Sequence, residues 1–95
     1  MDASTEVKAC IGTRWRPNLL GHFRVLYDAE QHVLCATWLK WKNALLPKGE
    51  RVVQAFVVDV MPLRPNDDAI PLFEVPETKL AAAKRRLTLY AKERY

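Results

Sequence analysis

Residues 51–61 carry Val52, Val53, Phe56, Val57, Val58 and Val60, β-forming side chains that fall on both faces of an extended chain. Strands that are apolar on both sides lie inside sheets rather than at their margins, so this segment predicts a central strand. The elements around it follow from punctuation. Residues 7–11 read as a short first strand closed by Gly12, residues 13–20 as a loop around Pro17 and Asn18, and residues 22–27 as a second strand ending at Asp28. Residues 62–68, with Arg64, Pro65, Asn66 and Asp67, read as a turn, and residues 69–74 as a short strand that pairs back.

Residues 29–46 contain neither Gly nor Pro and admit two readings. As a helix, Asp28 is the N-cap and Gln31 the capping-box partner. Leu34, Trp38, Trp41 and Leu45 then share one stripe, and Pro47 and Gly49 stop the element. As a hairpin, residues 28–31 make the turn into a strand that is apolar on both faces and carries Lys40. The helix is the reading adopted, because it accounts for cap, stripe and stop together. A last helix is predicted over residues 76–93. Pro76 suits its first turn, Glu77 comes early, and Lys92 and Arg94 come late, as the helix dipole prefers. The fold expected is α+β, a single small domain of order β-β-α-β-β-α over residues 1–95, with a mainly antiparallel sheet and helices near 29–46 and 76–93. The alternative is a five-stranded, partly open β-barrel with a C-terminal helix.

The net charge of +4 is unevenly placed. Residues 1–76 hold nine basic and nine acidic side chains, while residues 77–95 hold six basic and two acidic ones. Any field directed at a polyanion therefore comes mainly from the last segment. On that helix Leu80, Ala83, Leu87 and Tyr90 form a stripe that should dock on the sheet, with Arg85 and Lys92 turned outward and Arg86 to one side. Such a face can track a phosphate backbone, or simply be solvated.

Arg14, Trp15 and Arg16 form the other unusual cluster: two guanidinium groups flank an indole. That group suits an unpaired base, an anion or a protein hot spot, unless the indole folds onto the core and the arginines reach out to water. Trp38 and Trp41 are expected in the core. Asp59, which interrupts an apolar strand, is expected to face solvent rather than serve as a buried acid or base.

No Walker loop, GxGxxG turn, nucleophile elbow, HExxH or EF-hand pattern is present, so no enzyme, catalytic residue or cofactor is expected. The Cys and His inventory, Cys10, His22, His32 and Cys35, lacks the close pairs of a structural zinc site; no metal is expected, and the cysteines are expected to be buried thiols. Without a signal peptide or a long apolar run, a cytoplasmic protein with no membrane partner is expected. The tail's charge predicts a small nucleic-acid-binding accessory or regulatory protein. It would use Lys84, Arg85, Arg86 and Lys92 with the Arg14, Trp15, Arg16 loop, and its partner would be DNA or RNA. The alternative is a protein-binding adaptor or inhibitor that docks on a larger partner through Trp15 and exposed apolar surface, because residues 1–76 are charge-neutral and rich in Trp. Either is compatible with a homo-oligomer.

Overall fold

The computed structural model describes residues 11–12 and 14–94. Five antiparallel strands follow one another in chain order across a single open sheet: β1 (Arg16–Asn18), β2 (Gly21–Asp28), β3 (Val33–Trp41), β4 (Val52–Val58) and β5 (Phe73–Pro76). A 3₁₀ turn, Glu77–Lys79, leads into one α-helix, α1 (Leu80–Arg94). The sheet does not close, since β1 and β5 are its two edges, so neither the β-β-α-β-β-α order nor the barrel describes it.

The helix expected over 29–46 is instead the second strand of a hairpin. Asp28 does cap backbone donors, but its Oδ1 accepts from Glu30 N at 3.0 Å and Gln31 N at 3.3 Å within a turn. The same side-chain chemistry that starts helices also closes Asx turns. His32 then takes a left-handed φ of 54° and reverses the chain. A strand apolar on both faces is what this position requires, because both faces of the sheet are covered. On one side Leu39, Val53 and Ala55 meet Ala83 and Leu87 of α1; on the other Phe23, Val25, Ala36, Trp38 and Phe56 meet Leu63 from the 59–72 loop. Each fully buried Leu or Val in these layers contributes about 1.5–3 kcal/mol. Lys40, the apparent misfit, is half-buried at the strand's end and donates to Asp67 Oδ1 at 3.5 Å.

Trp38 is fully buried as expected, stacked on Phe23 with centroids 4.9 Å apart. Trp41 does not share its stripe: three residues along a strand put it on the helix-covered face, half-buried. The loop expected over 13–20 contains edge strand β1, and the strand expected at 69–74 begins only at Phe73. The strand expected over 7–11 lies outside the described residues except for Ile11, which bridges Val25. Helix α1 was expected from Pro76, but Pro76 ends β5 and the α-helix begins only at Leu80 after the 3₁₀ turn; it docks through Ala83, Leu87 and Ala91, with Leu80 and Tyr90 half-buried at the margins of that face. No helix among the described residues is long and apolar enough to cross a membrane.

Candidate functional site

Helix α1 lies mainly over β3, β4 and β5. The β1–β2 side of the same sheet face is therefore left beside the helix rather than beneath it. Alternation along β2 puts Phe23 and Val25 into the loop-covered core and turns His22 and Arg24 toward the helix side. The β1–β2 register, which pairs Arg16 with Phe23, continues to bring Trp15 opposite Arg24. On α1, Lys84 and Thr88 stand one step around from the buried Ala83 and Leu87, with Arg85 and Leu89 a step further.

Between these flanks runs an open groove of about 430 Å³ lined by Trp15, Arg24, Lys84, Arg85, Thr88 and Leu89. Two clusters that the sequence offered separately, the Arg-Trp-Arg segment and the basic tail, thus meet through Trp15, Lys84 and Arg85. Trp15 is half-buried, with part of its indole against the helix-side core and part lining the groove. Arg24 is half-buried, and its Nε is shielded from solvent without a hydrogen-bond acceptor. Thr88 spends its hydroxyl proton on Lys84 O, at 2.8 Å. No carboxylate lines the groove among the described residues.

The other expected site residues lie elsewhere. Arg16, paired across from Phe23, belongs to the opposite face, and Arg14 is exposed beside Trp15. Arg86 stands on the far flank of α1, its guanidinium 3.9 Å from the Phe73 ring centroid. Lys92 is exposed toward the helix's C-terminal end, beside a second cavity of about 330 Å³ over Cys35. Cys35 is a free, buried thiol whose pKa is raised by burial and, secondarily, by the charge of Asp59. Cys10 lies outside the described residues. Asp59 is exposed just past the end of β4. Among the described residues no three His, Cys, Asp or Glu side chains gather to hold a metal ion.

A lock of hydrogen bonds fastens the start of the helical segment to the β3–β4 loop. Arg51 Nη2 donates to Glu77 Oε1 at 2.7 Å, Gly49 N–H donates to the other carboxylate oxygen, and Glu77 N donates to Arg51 O at 2.8 Å. The Arg51 guanidinium stacks 4.0 Å from the Trp41 centroid, and the His22 ring meets Trp41 edge-on at 5.4 Å. The Arg51 hydrogen bond holds the Glu77 carboxyl below its usual range. His22 is pushed down first by burial, then by the charge of Lys84, with Arg51 adding and Glu77 opposing. Lys84 therefore links the groove to this lock.

Arg24 and Leu89 escaped the sequence reading. Arg24 carried a signal, since the alternation of Phe23 and Val25 against His22 and Arg24 marks one face of β2 as polar. Leu89 offered none beyond its helical spacing from Arg85. Comparison of the chain with protein-family models, with curated proteins and with solved structures finds no match.

Proposed function

We propose that this protein binds nucleic acid as a small accessory or regulatory protein, and that the groove between α1 and the β1–β2 side of the sheet is its contact surface. The observation that supports this reading is the groove's lining: Arg24, Lys84 and Arg85 converge beside Trp15 with no carboxylate among them. Among the described residues, ion pairs occupy cations elsewhere, as in Lys40 with Asp67, Lys42 with Glu74 and Arg51 with Glu77. The groove cations are aimed at an open channel, where each neutralised phosphate releases counterions. Fluorescence anisotropy with labelled DNA and RNA oligonucleotides at two salt concentrations tests the reading. Three phosphate contacts predict a roughly 20- to 40-fold loss of affinity between about 50 mM and 200 mM salt. Undetectable binding at the lower salt removes the proposal.

The adaptor reading is favoured by a different surface. Leu19 in the β1–β2 turn and Leu45 in the β3–β4 loop are 96% and 97% exposed, and both loops open at the same end of the sheet. A protein partner would seat there, and Leu19→Ser with Leu45→Ser would abolish its capture while leaving nucleic-acid binding unchanged.

A further inference from the structure

Resting on the nucleic-acid reading, we infer that the groove takes a single strand rather than a duplex, with one unpaired base against Trp15 and the flanking phosphates on Arg24, Lys84 and Arg85. The first ground is the lining. Apolar carbon dominates it, from the uncovered part of the Trp15 indole, from Leu89, which is 60% exposed, and from the stem of Lys84. A duplex meets a surface with sugar and phosphate and keeps its base faces stacked inside. Indole and leucine carbon pressed against phosphate would lose water and gain nothing. An unpaired base offers a π-face, and stacking on an aromatic side chain is sequence-tolerant because every base has one.

The second ground is the footprint. Duplex-binding surfaces that rely on charge spread six to ten phosphate contacts over a broad face. Here Arg24, Lys84 and Arg85 crowd one channel, whereas Arg86 is stacked on Phe73 across the helix and Lys92 stands near its other end. Lys92, one turn beyond Thr88 on the same flank of α1, extends the track to four cations, still short of six, and Arg86 does not join it. The cluster spans two or three consecutive phosphates of a flexible strand that bends into the groove. The third ground is selectivity. Among the described residues no Asn, Gln, Asp or Glu lines the groove, so the amide and carboxylate pairings that read adenine and cytosine edges are missing, and Arg24, Lys84 and Arg85 are assigned to phosphates rather than to guanine edges. Charge and stacking hold the strand, and preference among sequences is small.

The test compares a labelled single strand of about 12 nucleotides with the same strand annealed to its complement, titrated into the full chain at low salt. The single strand should bind at least ~10-fold more tightly, and Trp15→Leu should weaken it by roughly 5- to 150-fold while leaving the duplex signal unchanged. Because Trp15 also packs on the core, the unmodified protein supplies a second readout. Its Trp15 indole N–H resonance should move upfield on adding the single strand and stay in place on adding the duplex. Equal or tighter duplex binding, or single-strand binding that leaves the Trp15 resonance unmoved, overturns the inference and leaves the groove as a general polyanion site. Binding of neither form overturns the groove reading as well.

Discussion

The indole N–H of Trp38 donates to the main-chain oxygen of Leu63 at 2.8 Å and fastens the 59–72 loop onto the sheet face that has no helix. Leu63 follows Pro62, holds a left-handed φ of 67°, and is nonetheless almost completely buried. Its side chain and its carbonyl both hold it there. Trp38→Phe should cost about 1–3 kcal/mol, since the buried carbonyl loses its donor. Leu63→Ala should cost about 2–5 kcal/mol through the cavity it leaves. Urea denaturation of each variant measures both values.

Gly21 opens β2 at a φ of 141°, and a Cβ placed there would sit 2.1 Å from the backbone oxygen of Leu39. No side-chain rotation relieves a clash with a neighbouring strand's backbone. Gly21→Ala should destabilise the protein by about 3–5 kcal/mol. Gly49→Ala should cost only about 1 kcal/mol: its φ of 94° is strained for alanine, but no atom lies within 4 Å of the added carbon. Thermal melts of the two variants should differ accordingly.

The depressed pKa of His22 makes stability depend on pH with a definite sign. Below the ordinary histidine value of 6.5 the unfolded chain takes up the proton before the folded protein does, so the unfolded state binds more protons. Stability should be level above pH 6.5 and decline as the pH falls below it. His22→Gln should flatten that decline. Glu74 and Glu77, also held low, add a second loss below the ordinary glutamate value of 4.5. Unfolding free energies from urea titrations between about pH 2 and 8 resolve the two regions.

Arg51 and Lys42 each pair with a carboxylate, but in unlike settings. The Arg51–Glu77 pair is largely enclosed and stacks on Trp41, whereas the Lys42–Glu74 pair is open to water. Arg51→Lys should lower the melting temperature even though charge is conserved, because the fork and the stacking plane are both lost. Lys42→Ala should leave it nearly unchanged.

The strand at Val52–Val58 was legible, because apolar side chains on both faces already imply cover on both sides, but the expected span of 51–61 overran it into the exposed Val60 and Met61. The same logic held for residues 33–41 and was outweighed by two ambiguous signals. Asp28 caps turns as well as helices, and Leu34, Trp38 and Trp41 satisfy helical spacing while also alternating between sheet faces. Nothing local disclosed that the 59–72 loop would cover the second face, since that depends on Leu63 and Trp38 meeting across the chain. The tail helix and its docking side were legible from charge and period. The meeting of Trp15 with Lys84 and Arg85 was not, because it follows from the order of the strands and from the helix lying over β3 to β5 rather than over β2.

Matched charge removal tests the groove most directly. Arg24→Gln with Lys84→Gln takes two positive charges from the groove, and Lys79→Gln with Arg86→Gln takes two from the other flank of the helix. Measured by anisotropy against one oligonucleotide at one salt concentration, the first pair should weaken binding by roughly 10-fold or more and the second by no more than about 3-fold. Equal losses from the two pairs, or a greater loss from the second, would contradict a groove that gathers the strand between Trp15 and the helix.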